Sequence, residues 1–83
     1  MKVANHNAII VGGASGMALA TAEMFVEKGG KVAILDLPKS DGAAVAARLG
    51  GTFHACDVTD FEGTEAALDA AVAALGSVHF LCN

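Results

Sequence analysis

The strongest chemical signal in the chain is a glycine-rich segment between a short apolar run and a run of helix-forming residues. The apolar run, residues 8–11, is typical of a strand buried on both faces of a parallel sheet. Three glycines follow that allow the backbone to turn tightly and to approach a ligand: Gly12, Gly13 and Gly16. A helix that opens between Ser15 and Met17 presents unpaired N–H groups and the positive end of its dipole, which favour a phosphate by roughly 0.3–2 kcal/mol. The segment predicts a phosphate-binding turn, and the alternative is an ordinary strand-to-helix turn.

An acidic residue ends the next apolar run and strengthens the prediction. Asp36 lies 24 positions after Gly12, near the ~20 expected for an acid that binds the ribose of a dinucleotide. Such a carboxylate accepts hydrogen bonds from both ribose hydroxyls, each contributing roughly 1.5–3 kcal/mol. It also repels a ribose phosphate, so the sequence favours NAD over NADP. The alternative is a solvated acid at a strand end, and Lys39 leaves an opening for NADP.

Asp57 and Val58 follow the third apolar run. An aspartate here could accept a hydrogen bond from the adenine amino group, while Val58 offers its backbone N–H. The alternative is an aspartate that begins a turn, and spacing alone favours neither interpretation. The chain contains no tyrosine, and its three histidines have no metal-ligand spacing with either cysteine. We therefore predict no metal ligand and name no catalytic residue.

Composition limits the remaining possibilities. The 83 residues form one domain at most, 54% of them are hydrophobic, and an apolar segment ends the sequence. We therefore expect the N-terminal part of a longer protein. The net charge is −4 and the basic residues are scattered, which argues against nucleic acid as a partner. Apolar runs are shorter than the ~20 residues that span a membrane, and no secretory signal is recognisable, so we expect a cytoplasmic protein.

Strand and helix patterns alternate along the whole chain. The predicted strands are residues 8–11, 31–36, 52–56 and 78–83, and the predicted helices are residues 17–28, residues 41–49 and one that Gly76 ends. Strand–helix–strand units of this length cross over with a right hand, which gives parallel strands. We predict a Rossmann-type, doubly wound α/β sheet with strand order 3-2-1-4 and helices on both faces. The candidate residues then meet at the carboxyl ends of the strands.

Capping and packing details are also predicted. Ser40 is expected to cap the second helix, and Thr59 and Glu62 have the spacing of a capping box for the third. The apolar positions of that third helix predict its buried face: Phe61, Leu68, Val72 and Leu75. Cys56 and Cys82 end strands about 14 Å apart, three steps of the ~4.8 Å strand spacing, which is too far for a disulfide.

Together these residues resemble the short-chain dehydrogenase/reductase family over essentially the whole chain. The resemblance rests on the Gly-Gly-Ala-Ser-Gly turn at residues 12–16, on Asp36, on the Asp57-Val58 pair and on Asn83. A closer likeness, to type II 3-hydroxyacyl-CoA dehydrogenases, rests on residues 12–16, 19–23, 35–38 and 57–59. Three positions depart from the usual family pattern: Val11 in place of Thr, Ala18 in place of Gly, and His79 in place of Asp.

The resemblance implies a cofactor site for NAD. Its residues are Gly12, Ser15, Gly16, Met17, Asp36, Asp57, Val58 and Asn83. By the resemblance, Ser15 and Met17 line the pyrophosphate and nicotinamide side, and Asn83 forms the floor between ribose and sheet. The family's catalytic Ser, Tyr and Lys are expected beyond position 83.

The resemblance implies NAD-dependent oxidation of a secondary alcohol. The first candidate substrate is 3-hydroxyacyl-CoA, and the next candidates are a hydroxysteroid and a sugar alcohol. The partners implied are a small-molecule substrate and further copies of the chain, as a tetramer. Two alternatives remain open. One is an NADPH-dependent 3-oxoacyl reductase, against which Asp36 argues, and the other is a non-catalytic nucleotide-binding fragment.

Overall fold

A computed structural model describes residues 3–82 of the chain and contains four strands and three helices. In chain order these are β1 (Asn7–Val11), α1 (Gly16–Glu27), β2 (Lys31–Asp36), α2 (Gly42–Leu49), β3 (Thr52–Ala55), α3 (Phe61–Leu75) and β4 (Phe80–Cys82). The strands are parallel and lie in the order β3-β2-β1-β4. The predicted fold class and strand order are therefore confirmed. Where the observed strand and helix boundaries differ from the predicted ones, they differ by one or two residues, and β2 has the predicted boundaries.

The two inner strands form the centre of the sheet. Ile9 of β1 pairs with Ala33 of β2 on one side and with Leu81 of β4 on the other. β1 and β2 are buried along nearly their whole length, whereas Leu81 on the edge strand is 63% exposed. Because strands covered on both faces need apolar side chains at consecutive positions, the uninterrupted apolar runs of β1 and β2 follow from their central place.

Helices cover both faces of the sheet. On one face, α1 and α2 pack against Ile10 and Ile34. Phe25 of α1 is the largest buried side chain that the helices add to this layer. On the other face, α3 packs against Ile9 and Leu35. Successive residues of each inner strand therefore pack on opposite faces of the sheet, because side chains alternate between the two faces along a strand.

The buried face of α3 differs from the prediction. Ala67 and Ala71 are its buried residues, and Leu68 and Leu75 are only partly buried. Phe61 is 91% exposed and Val72 is 43% exposed, so the predicted burial of these two residues is wrong. Alanines let a helix axis approach a sheet closely, and the larger side chains then lie beside the contact.

The caps of α2 and α3 also differ from the prediction. Asp60 is the N-cap of α3, and its carboxylate accepts a hydrogen bond from the Gly63 N–H, so the predicted Thr59–Glu62 capping box is wrong. Asp41 is the N-cap residue of α2 but makes no cap bond with its side chain. The Ser40 hydroxyl, one residue earlier, accepts from the Gly42 N–H instead.

Two further features hold the layers in place. The buried Asn7 side chain donates hydrogen bonds to the carbonyls of Leu75 and Ser77, and so fixes the end of α3 against the start of β1. Cys56 and Cys82 are free thiols, Cys56 buried and Cys82 partly buried. No helix within residues 3–82 has the length and apolar character needed to cross a membrane.

Candidate functional site

A cavity of about 320 Å³ lies at the carboxyl ends of β1, β2 and β3. It is within the size range of small-molecule sites, roughly 300–1,000 Å³. Four of the predicted site residues line it together: Gly12, Asp36, Asp57 and Val58. Apolar walls come from further residues at the same strand ends: Val11, Leu35, Leu37 and Cys56. Leu37 and Cys56 were not among the predicted site residues, although each directly follows a strand.

The glycines of the turn after β1 have two different tasks. Gly12 and Gly16 have positive φ angles of 75° and 64°, and a Cβ built on either would meet nothing within 4 Å. Their surfaces are open to a ligand. A Cβ on Gly13 would lie 2.9 Å from Cδ1 of Ile34 and 3.1 Å from Cγ2 of Ile10. Gly13 is therefore required for packing on the sheet, which corrects the expectation that all three glycines serve ligand approach.

The amino end of α1 is open to an anion. Ser15 is the N-cap in an extended conformation, its side chain makes no cap hydrogen bond, and the first turn carries no acid. Gly16 and Met17 are exposed, Met17 by 87% of its surface. The first N–H groups of a helix have no partner within the helix, so these donors remain available to a phosphate. Ser15, Gly16 and Met17 do not line the cavity itself.

Asp36 connects the cavity to this turn. Its Oδ2 accepts a hydrogen bond from the Ala14 N–H at 3.0 Å, and its Oδ1 accepts one from the Leu37 N–H at 2.7 Å. The Gly12 N–H donates to the Leu35 carbonyl at 2.7 Å, which ties the turn to β2 a second time. Each carboxylate oxygen keeps further acceptor capacity, since an ionised carboxylate has about four lone-pair sites.

Asp57 begins a turn, as one of the two sequence interpretations holds. Its Oδ1 accepts hydrogen bonds from the Thr59 N–H at 3.0 Å and from the Thr59 hydroxyl at 2.7 Å. The hydroxyl bond and then the N–H bond lower the pKa of the Asp57 carboxyl from its usual 3.8. Because the side chain also lines the cavity, the turn and a contact with a ligand are compatible.

Asn83 falls outside the described residues. Two of the histidines, none of which is predicted as a site residue, lie away from the cavity. His6 and His79 stand together at the amino ends of β1 and β4, with ring centroids 4.7 Å apart, at the opposite end of the sheet from the cavity. Nδ1 of His79 accepts a hydrogen bond from the Asn7 N–H at 3.0 Å. Residues 3–82 contain no cluster of three or more potential metal-binding side chains.

These features fit one extended ligand with an adenosine at one end and a diphosphate beside it. The cavity offers apolar walls for a flat ring, the Asp36 carboxylate for hydroxyl groups, and the open glycine surfaces with the α1 amino end for phosphates. A dinucleotide places these three groups in that order, and the crevice outside the carboxyl ends of parallel strands is where such ligands bind.

Comparisons with known proteins identify the family of the chain. The model of the short chain dehydrogenase family matches residues 6–83. The bovine 3-hydroxyacyl-CoA dehydrogenase type-2 is 45% identical over 78 residues, which cover 92% of this chain and 30% of that protein. This chain therefore spans less than a third of that relative's length.

Two solved structures share the fold. A short chain dehydrogenase/reductase from Burkholderia phymatum in complex with NAD has a TM-score of 0.88 at 28% identity, covering 98% of this chain and 31% of its own. A 3-ketoacyl-(acyl-carrier-protein) reductase from Brucella melitensis complexed with NADH also has a TM-score of 0.88, at 30% identity, with coverages of 95% and 33%. Since the family model matches nearly the whole sequence, this chain belongs to the short-chain dehydrogenase family.

Proposed function

We propose that this chain forms the NAD-binding part of a short-chain dehydrogenase that oxidises a secondary alcohol. The observation that carries the proposal is the Asp36 carboxylate, which lies between the cavity and the glycine-rich turn with Leu37, an apolar residue, directly after it. A ribose with free hydroxyls supplies the donors that this acceptor needs. When NAD is bound, it supplies a hydride acceptor, and the residues of this chain bind and orient it.

Each part of the site has its own task in this proposal. Asp36 accepts hydrogen bonds from the adenosine ribose, and the walls at Val58 and Leu37 cover the adenine. The diphosphate lies against Gly12 and the open amino end of α1, where the N–H groups and the dipole favour negative charge. By the family resemblance, a tyrosine transfers the proton of the substrate hydroxyl, and the 83 residues contain no tyrosine.

The preference for NAD over NADP follows from charge. A ribose phosphate would stand beside the Asp36 carboxylate, and two unit charges 4 Å apart repel by about 4 kcal/mol at an effective dielectric constant of 20. The nearest basic residue along the chain is Lys39, which is exposed. Lys39 supports the second candidate, an NADPH-dependent 3-oxoacyl reductase. The Asp36 carboxylate outweighs Lys39, because Asp36 lines the cavity and Lys39 does not.

For the substrate, we propose 3-hydroxyacyl-CoA. The support is the 45% identity with the bovine 3-hydroxyacyl-CoA dehydrogenase type-2. The family resemblance also supports a homo-oligomeric enzyme. Oxidation of a 3-hydroxyacyl-CoA by the full-length protein, followed as NADH absorbance, checks the substrate against a hydroxysteroid and a sugar alcohol.

Calorimetric titration of the full-length protein with NAD and with NADP tests the cofactor. We expect NAD to bind at least about tenfold more tightly, since one lost charge-assisted hydrogen bond already corresponds to that factor. Asp36→Ala should remove most of the difference. Asp41→Ala, which deletes an exposed acid without a cap bond, is the matched control and should keep it. Equal affinity of the unmodified protein for both cofactors would overturn the NAD assignment.

A further inference from the structure

The Asp36 carboxylate makes a contact that ribose binding does not require. Its Oδ2 accepts the Ala14 N–H at 3.0 Å, although the two residues are 22 positions apart. The Leu37 N–H, which donates to Oδ1 at 2.7 Å, fixes the orientation of the carboxylate. The side chain is half-buried, so the bond to Ala14 is partly shielded from water. Asp36 therefore reaches across from the end of β2 to the middle of the glycine-rich turn.

Ala14 occupies the part of the turn that most needs such support. Gly12 and Gly16, on either side of it, have positive φ and no Cβ to restrict them. Glycine loses more conformational freedom on ordering than any other residue, so a turn built on it is costly to hold in one shape. Gly12 is held by its N–H bond to the Leu35 carbonyl. At the far end, Ser15 makes no cap bond that would fix the start of α1.

We propose that Asp36 is a positioning residue for the phosphate-binding turn, in addition to its contact with the ribose. The proposal rests on the proposed function, since it concerns the same dinucleotide site. Through Ala14, the carboxylate holds the turn in the shape that presents the α1 amino end to the diphosphate. Substitutions at Asp36 that are meant to change the cofactor preference therefore weaken the binding of every adenine nucleotide that carries a diphosphate.

A nucleotide without ribose hydroxyls separates the two roles of Asp36. We would titrate the full-length protein and its Asp36→Ala variant with ADP and with 2′,3′-dideoxy-ADP. If Asp36 only binds the ribose, the variant should bind dideoxy-ADP at least as tightly as the unmodified protein, because a negative charge near the diphosphate has gone. If Asp36 positions the turn, dideoxy-ADP should bind roughly 3- to 10-fold more weakly, the range of one modest hydrogen bond.

Controls make each outcome decisive. Asp41→Ala carries the same change in net charge at an exposed side chain that makes no cap bond, and it should bind both nucleotides as the unmodified protein does. Asp36→Asn keeps the size of the side chain but has only one acceptor oxygen, so an N–H of Ala14 or Leu37 would face the amide NH₂ group. We expect it to weaken dideoxy-ADP binding as well. Unchanged or tighter dideoxy-ADP binding by both Asp36 variants overturns the positioning role and leaves the proposed function standing.

Hydrogen exchange tests the same contact without any nucleotide. In the unliganded protein, the Ala14 amide should exchange at least about tenfold faster in Asp36→Ala, while the amide of Ile34 in the central strand keeps its protection. Equal exchange at Ala14 in both proteins would refute the contact. If the unmodified protein binds neither ADP nor dideoxy-ADP, the proposed function fails, and the exchange measurement still decides whether Asp36 holds the turn.

Discussion

The amino ends of α1 and α3 differ in how their unpaired N–H groups are satisfied. Both helices follow a parallel strand and so begin at the carboxyl edge of the sheet. At α3, Asp60 accepts the Gly63 N–H and Glu62 adds an acid to the first turn. At α1, the Ser15 side chain makes no cap bond and no acid is present. A helix that caps itself with a carboxylate has neutralised the positive end that an anion would otherwise use.

The difference shows how one fold divides stability and binding between similar elements. The capped helix end contributes to stability by itself, whereas the first N–H groups of α1 are left for water or an anion to satisfy. The glycines follow the same division, because Gly12 and Gly16 are open while Gly13 is packed against Ile10 and Ile34. Three variants test this division between the two helix ends, and the variant with the largest expected effect comes first.

Giving α1 the carboxylate cap of α3 should abolish tight cofactor binding. In Ser15→Asp, the new carboxylate would accept from the first turn of α1 and repel the diphosphate, by about 4 kcal/mol for unit charges 4 Å apart at an effective dielectric constant of 20. We expect the affinity for NAD to fall at least about 100-fold, while the free energy of unfolding rises by about 0.5–1 kcal/mol. Calorimetric titration and urea denaturation measure the two effects.

Ser15→Asn is the matched control for that variant, since it also caps the helix but adds no charge. It should lose much less affinity than Ser15→Asp, which separates competition for the N–H groups from repulsion of the phosphates. Tight NAD binding by Ser15→Asp would show that the α1 amino end does not receive the diphosphate.

Removing the cap of α3 should affect stability alone. Asp60→Ala leaves the Gly63 N–H without its partner, which costs about 0.5–2 kcal/mol of the free energy of unfolding. Asp60 does not line the cavity, so the affinity for NAD should stay within twofold of the unmodified protein. Asp69→Ala, an exposed acid in the middle of α3, is the control and should leave the stability nearly unchanged. A loss of NAD affinity in Asp60→Ala would contradict the separation of the two helix ends.

The sheet could be predicted from the sequence because its signals are local. Uninterrupted apolar runs mark β1 and β2, and short strand–helix–strand connections favour right-handed crossovers between parallel strands. The order 3-2-1-4 is expected because it is the usual order of a Rossmann-type sheet. The grouping of Gly12, Asp36, Asp57 and Val58 follows from that order, because each of them lies at the carboxyl end of a strand. The elements and the strand order needed no knowledge of side-chain packing.

The predictions that were wrong or missing concern side-chain contacts, which depend on how the chain packs. Hydrophobic periodicity ranks Phe61 above Ala67, but Ala67 packs against the sheet and Phe61, at the start of α3, is 91% exposed. The Thr59 hydroxyl is engaged by Asp57, which moves the cap to Asp60. The bond from Ala14 to Asp36 joins residues 22 positions apart, and nothing in their sequence spacing indicates it.

The smallest predicted effect concerns the turn that leads into α3. The Thr59 hydroxyl and N–H lower the pKa of the Asp57 carboxyl from 3.8. Since the pKa is lower in the folded than in the unfolded protein, this interaction stabilises the fold above the unfolded pKa and is lost as the pH falls through the folded value. Thr59→Val removes the hydroxyl and keeps the N–H, so the pKa of Asp57 should rise part of the way toward 3.8.

Carboxyl chemical shifts followed by NMR between pH 2 and 6 measure this change in the full-length protein. Thr52→Val is the control, because its hydroxyl contacts His54 and no carboxylate, and it should leave Asp57 unaffected. An unchanged pKa of Asp57 in Thr59→Val would mean that the Thr59 N–H alone lowers this pKa. A rise would show that the Thr59 hydroxyl helps to lower the pKa of Asp57 in a turn that lies outside α3. That arrangement leaves the capping of α3 to Asp60 and the cavity wall to Asp57.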